Sequence, residues 1–245
     1  MLAMLKDYIK SKPWLYDFLN SKRPITDDVE IWLDGFTKNN RKPINFIQIG
    51  ASDGLRWDPF RRFIIRDKWN GIFVEPLPYV FEILKSNYAY RKKQNLKFVN
   101  AAISTNDNDH IDIWSYSDDF CNSLSLEGSL FYLRKSSLDK KHVESSLQSF
   151  DTIDDKIECF RVKCLSINSL VEEYWGNNQL DIILIDAEGH DDKIVRTIDF
   201  KKLNPKAILF ESHNLGTRKQ EIHDYLSENG YTVSNVGGDS VAIRN

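Results

Sequence analysis

From Pro43 onward the chain alternates short, continuously apolar runs with longer amphipathic ones, and its ending breaks that rhythm. The apolar runs fall at residues 44–49, 71–74, 96–99, 180–185 and 207–210. Runs this short, apolar on successive positions, suit strands buried on both faces. Between them, residues 59–66, 79–88, 165–175, 191–198 and 218–228 carry apolar side chains at helical spacing. Such alternation predicts right-handed β-α-β crossovers and a parallel sheet covered on both sides. The ending differs: residues 231–236 and 240–243 are strand-like and are joined by Gly237-Gly238-Asp239, a hairpin turn. The expected fold is an α/β three-layer sandwich whose mostly parallel sheet finishes in an antiparallel hairpin.

Two regions stand outside the alternation. Residues 1–42 read as a helical lead-in packed on the core, with Met4, Leu5, Tyr8 and Ile9 at helical spacing. Val29, Leu33 and Phe36 repeat that spacing after Thr26-Asp27-Asp28, a helix start. Residues 43–245 are then the main domain, a division that suits a chain of 245 residues. Within it, residues 105–160 are too long for a plain connection and are expected to be an elaboration that shapes the acceptor site. Trp114, Tyr116, Phe120, Phe131 and Tyr132 are its candidate apolar faces.

Thirty-three Lys and Arg against 36 Asp and Glu give a formal net charge of −3, which argues against whole-surface binding of nucleic acid. Cys121, Cys159 and Cys164 are odd in number and form no CxxC, which disfavours a disulfide scaffold or structural zinc and favours a reducing compartment. No apolar run approaches the roughly 20 residues of a membrane span. Residues 1–12 show no signal-peptide pattern. A soluble, cytoplasmic protein is expected, with a homo-oligomer left open.

Four strand ends carry candidate chemistry. The first run enters Gly50-Ala51-Ser52-Asp53-Gly54, where glycine lets backbone approach a ligand closely. Ser52 and Leu55 stand where an NAD fingerprint would need glycine. The second run ends in Glu75-Pro76, and a carboxylate there can accept both hydroxyls of a ribose. The fourth ends in Asp186-Ala-Glu188-Gly-His190-Asp191, and the fifth in Glu211-Ser-His213. Any one of these acids could be a helix cap, but four at one sheet edge suit a ligand crevice better. Residues 61–97 hold nine Lys and Arg, read either as solvated helix faces or as attraction for an anionic acceptor.

The segments QIGASDG, FVEPLPYVFEILKSNY, FVNAAIS, LIDAEGHD and ILFES, in that order, resemble the FkbM-type S-adenosylmethionine-dependent methyltransferases. The resemblance runs from about Phe46 to Ser212 and omits residues 105–160. It implies a class I methyltransferase (Rossmann-like) fold with seven strands. It implies methylation of a hydroxyl, on a sugar or a polyketide-type natural product. A nucleotide-linked sugar or glycan is the expected acceptor. The implied cofactor residues are Gly50, Ala51, Ser52, Asp53 and Gly54 around the methionine moiety, and Glu75 with Pro76 at the ribose. Asn100 and Ala101 would lie at the adenine, and Asp186 is a further implied cofactor-binding residue.

A sugar hydroxyl must lose its proton as the new bond forms, to a side-chain base or with help from a divalent ion. His213, Asp186 and Glu211 are the catalytic candidates, with His213 as base and His190 a further candidate. Their oxygen-rich set suits magnesium or manganese if a metal is used, and no metal ligands are assigned. His110, His142 and His223 are expected to be surface or core residues. Three other classes make different demands. An oxidoreductase would use Tyr88 and Lys92, a nucleic-acid methyltransferase would need Asn/Asp-Pro-Pro-aromatic where Asp186-Ala-Glu188-Gly stands, and a binding module would keep only the nucleotide pocket.

Overall fold

The computed structural model describes residues 11–40, 43–105, 107, 110–176 and 179–245. The periodic residues Met4 to Ile9 lie outside them. Seven strands form the main sheet: β1 (Asn45–Ile49), β2 (Asn70–Val74), β3 (Leu96–Val99), β7 (Ile182–Ile185), β8 (Ala207–Glu211), β9 (Tyr231–Val236) and β10 (Asp239–Arg244). Their spatial order is β3-β2-β1-β7-β8-β10-β9. The first five are mutually parallel, and β10 runs antiparallel to both β8 and β9. The predicted sandwich with its terminal hairpin is therefore the observed fold.

Alternation along the strands explains why they read as continuous apolar runs. Ile47, Ile49, Ile72, Val74, Ile183 and Ile185 point to one face. Phe46, Phe73, Ile182, Leu184 and Leu209 point to the other. Helices α8 (Ile167–Tyr174), α9 (Asp191–Arg196) and α10 (Arg218–Glu228) cover the first face. The second is covered by α2 (Asp28–Asn39), α3 (Arg61–Arg66) and α4 (Pro78–Tyr88). Pro13 does not interrupt a helix but starts α1 (Pro13–Lys22), where its missing N–H costs nothing.

Residues 102–165 form a second, three-stranded sheet in the order β4-β6-β5, with β4 at Ala102–Ile103, β5 at His110–Tyr116 and β6 at Ile157–Leu165. Three short helices, α5 (Asp118–Asn122), α6 (Leu126–Leu133) and α7 (Lys140–Ser145), lie between β5 and β6. Tyr116, Phe120, Val143 and Leu147 make a small core there, and Tyr132 and Phe150 pack against it. Most of the aromatic faces expected to meet an acceptor are thus spent on holding this segment together. No helix among the described residues is long and apolar enough to cross a membrane.

Candidate active site

The turn after β1 is shaped by two close approaches. Gly50 has φ +74°, and a Cβ there would stand 1.8 Å from the Asp186 carbonyl oxygen. Its N–H and that of Ala51 both donate to the Val74 carbonyl, at 3.0 Å each. Gly54 has φ +58°, and a Cβ there would meet Leu84 Cδ1 at 2.5 Å and Tyr88 Cε2 at 2.8 Å. Between them Ser52 holds φ +47° and donates its N–H to Glu75 Oε2 at 2.9 Å. Asp53 turns inward instead. Its carboxylate accepts from Leu55 N and Arg56 N and pairs with Arg56 Nη1 at 2.5 Å.

Glu75 is the buried acid of this turn. Its Oε1 accepts from Leu77 N at 3.0 Å, so both oxygens hold one backbone donor and each keeps capacity for another. Burial pushes its carboxyl up to about 7 against the pull of those two bonds. Asn100 Nδ2 donates to the carbonyls of Glu75 and Pro76, at 2.8 and 2.9 Å, and ties the ends of β2 and β3 together. Gly50, Ser52, Glu75, Pro76, Ala101 and Asp186 line one cavity of about 70 Å³. Leu133, Ser136, Ser137 and Leu138 roof it. A neighbouring space of about 50 Å³ is bounded by Ala51, Trp57 and Asp58. Asp53, Gly54 and Asn100 line neither and act on the turn from behind.

An acidic floor lies at the ends of β7 and β8. Asp186 stands open to the cleft yet enclosed on its flanks, and enclosure, then Glu188 and Glu211, raise its carboxyl well above the ordinary range. Glu188 has φ +46°, an unusual conformation for a side chain of its size. Its Oε2 meets His142 Nε2 at 2.9 Å, and its backbone carbonyl accepts from Ser137 Oγ at 2.9 Å. That hydrogen bond raises the His142 imidazole above its usual value. Glu211, raised by burial and by Glu188, lies 3.5 Å from His213 Nδ1. His213 is more than half exposed, and Glu211 rather than Asp186 is its carboxylate neighbour. His190 sits in the cofactor-side wall, where burial holds it neutral down to about 4.

Beyond this floor opens a third space, a cleft of about 480 Å³. The lead-in supplies one wall through Tyr16, Asn20, Asp27, Asp28 and Glu30, and the β9–β10 turn supplies another through Gly238 and Asp239. Asp186 and Arg134 line all three spaces and so stand where they meet. Among the described residues no three His, Cys, Asp or Glu side chains converge as a metal site. The basic residues of 61–97 do not face the cleft. Arg61 is buried against Asp17, Arg66 pairs with Asp67 and Asp34, and Lys85 pairs with Glu82. Tyr88 is buried beneath the Arg61 guanidinium, 4.4 Å from its ring centroid.

Sequence reasoning missed three contributors: His142, Arg134 and the lead-in wall. His142 reaches Glu188 across 46 positions that include β6, α8 and β7, and no local pattern marks that approach. The helices of the lead-in were legible, but periodicity says only that a helix buries a face, not beside which strand end it comes to rest.

The comparisons with known proteins follow the same lines. The sequence profile of the methyltransferase FkbM domain matches residues 48–233. The fold is similar to that of a methyltransferase FkbM from Methylobacillus flagellatus KT, with a TM-score of 0.54 and 10% identity over 98% of this chain. That match spans 52% of the other protein, about half its length. A precorrin-6y C5,15-methyltransferase from Geobacter metallireducens GS-15 gives a TM-score of 0.43 and 12% identity, over 91% of each chain. No curated protein matches. A profile match that takes in most of the chain, on a sheet of this strand order, places the protein in the methyltransferase FkbM domain family.

Proposed function

We propose that this methyltransferase moves a methyl group from S-adenosylmethionine to a sugar hydroxyl held over Asp186. The observation that carries the reading is the position of Asp186, at the meeting point of the glycine-turn cavity and the large cleft. One side of it offers the features that suit a nucleoside: a Cβ-free Gly50, a buried Glu75 carboxylate with spare acceptor capacity, and a small Ala101. The other side is open enough for a sugar.

The residues present fit the cofactor. Gly50, Ala51, Ser52 and Asp186 would surround the methionine part, with Asp53 and Gly54 fixing the turn behind them. Glu75 would receive the ribose hydroxyls, with Pro76 and Ala101 toward the base and Asn100, expected at the adenine, instead fixing the strand ends from behind. When bound, S-adenosylmethionine supplies an electrophilic methyl carbon. The protein's part is to place the acceptor oxygen in line and to take its proton. His213 is the proposed base. Glu211 beside Nδ1 orients the ring, leaving Nε2 for the hydroxyl proton. If Asp186 and Glu211 held a divalent ion, it would supply stabilisation of the same alkoxide.

One experiment separates these. With a methyl-accepting sugar found by screening, His213→Ala should lower the rate by about 10²-fold or more and leave activity resistant to chelators. Activity that vanishes on chelation and returns with magnesium or manganese would transfer the role to a metal. Full chelator-resistant activity in both His213→Ala and Asp186→Asn would remove this site from the chemistry.

A further inference from the structure

We propose that the outer face of α1, with the lysines beside it, docks on an anionic lipid surface. That face is apolar. Trp14, Phe18 and Leu19 are 58%, 59% and 44% exposed, and α1 buries none of its residues. Trp14 and Phe18 stand four positions apart, one above the other on the same side of the helix. What holds α1 to the body is polar instead: Asp17 pairs with the buried Arg61 and accepts from the Tyr90 hydroxyl. The helix is thus gripped on its inner side while its aromatic side meets solvent. A contiguous stripe of large apolar side chains in that position marks a contact surface.

Charge identifies the partner. Lys12 and Lys22 flank the stripe, and the Lys22 ammonium lies 5.8 Å from the Phe18 ring centroid. Tyr90, which reaches α1 through Asp17, shares a cavity of about 520 Å³ with Lys68, Arg91, Lys92 and Lys93. The five lysines are exposed, and none of them pairs with a carboxylate among the described residues. The acids nearby are spent, Asp17 on Arg61 and Asp67 on Arg66. Lysines alone are usually a solvated face, and a net charge of −3 gives the whole chain no pull toward anions. Beside Trp14 and Phe18 the same lysines gain a use. Aromatic rings settle at the level of lipid headgroups, where ammonium groups meet the headgroup phosphates. A nucleic acid would engage the lysines and leave Leu19 idle. Tyr16 and Asn20, on the opposite side of α1, line the large cleft, so docking through α1 sets that cleft beside the lipid surface.

The test is co-sedimentation of the full chain with vesicles, either phosphatidylcholine alone or equal parts phosphatidylcholine and phosphatidylglycerol. The anionic vesicles are expected to bind at least about tenfold more tightly than the neutral ones, with a preference that shrinks as salt is added. Trp14→Ser with Phe18→Ser should weaken that binding by about tenfold or more, through lost insertion. Lys92→Glu with Lys93→Glu should weaken it by a similar factor, through lost charge. All four side chains are exposed, so both double variants should keep the wild-type melting temperature and S-adenosylhomocysteine binding. Absence of binding to the anionic vesicles overturns the proposal, as does equal binding to the neutral ones. So does wild-type binding in either double variant. Polyuridylate captured in place of vesicles, and released by the lysine changes, would make the patch a nucleic-acid surface instead. A dimer in sedimentation velocity that Trp14→Ser with Phe18→Ser dissociates, without vesicle binding, would give the face to a second copy and overturn the proposal too.

Discussion

Gly50 and Asp186 touch so closely that no side chain fits between them: a Cβ on Gly50 would lie 1.8 Å from the Asp186 carbonyl oxygen. The contact joins the glycine turn after β1 to the acidic end of β7, and the backbone of one fixes the place of the other. Because Gly50 also holds φ +74°, Gly50→Ala adds strain to overlap. Backbone strain of this kind alone costs about 1–3 kcal/mol. The expected outcome is a stability loss of at least about 2 kcal/mol in denaturant titration, together with loss of S-adenosylhomocysteine binding. A variant that is as stable and binds as well as the wild type would show that the turn relaxes without Asp186.

Glu75 titrates within the range of ordinary buffers. Its folded value of about 7 lies above the ordinary 4.5, so folding favours its protonated form. Its contribution to stability is complete below the ordinary value and is lost as pH rises through about 7. On the proposed reading ribose hydroxyls would donate to the ionised carboxylate, so cofactor binding should draw the value down and release a proton near pH 6. Calorimetry of S-adenosylhomocysteine in buffers of different ionisation heat reads that proton directly, and Glu75→Gln should abolish it. The same variant should weaken binding by about 1–3 kcal/mol, the cost of a lost acceptor in a buried site.

Arg61 fastens the lead-in to this turn. Its guanidinium pairs with Asp17 of α1 through two bonds, at 2.7 and 3.0 Å, and donates to the Gly54 and Asn87 carbonyls at 2.7 and 2.9 Å. All of this is buried. Removing one partner strands the other's charge, so Arg61→Ala should cost about 3–5 kcal/mol. Asp17→Asn, which keeps a hydrogen-bond acceptor, should cost less. Equal stability of the wild type and Arg61→Ala in thermal unfolding would refute this account.

These residues also show what was and was not legible in the sequence. Apolar runs and a Gly-Gly-Asp turn carried the sheet and its hairpin, because burial on both faces and positive φ leave strong local marks. Some boundaries moved. Helix α3 begins at Arg61 rather than 59, its first backbone bonds being those of Phe63 N and Ile64 N to the Phe60 carbonyl. Strand β7 begins at Ile182 because the Asp181 carboxylate is engaged by Asn45 N and Lys206. The strand-end acids were visible, but not their division of labour. Asp53 looks inward while Asp186 faces the cleft, and which way a side chain turns after a strand is a tertiary matter. Asp107, within the acidic stretch after β4, is spent on Ser166 and Ser169 at the start of α8.

Residues 133–138 form a roof over the glycine-turn cavity. Ligand pockets for molecules of this class hold roughly 300–1,000 Å³. The space under residues 133–138 is about 70 Å³, so the roof is expected to swing away if the cofactor enters there. Two bonds to Glu188 hold it down, from Ser137 Oγ and from His142 Nε2. The His142 imidazole is raised by its bond to Glu188, and further by the charges of Glu188, Glu211 and Asp139. A raised imidazole stabilises the closed arrangement below its ordinary value of 6.5, and that help is lost as pH rises through the raised one. With His142 about a quarter exposed, the pair is worth no more than about 1 kcal/mol. Hydrogen exchange across residues 133–142, corrected for intrinsic rates, should therefore quicken between about pH 6 and pH 8.5 in the wild type. In His142→Ala it should be fast at both. Stopped-flow association of S-adenosylhomocysteine should follow the same order, faster at the higher pH in the wild type and insensitive in the variant. Equal association rates at both pH values in the wild type would show that cofactor entry does not wait on His142.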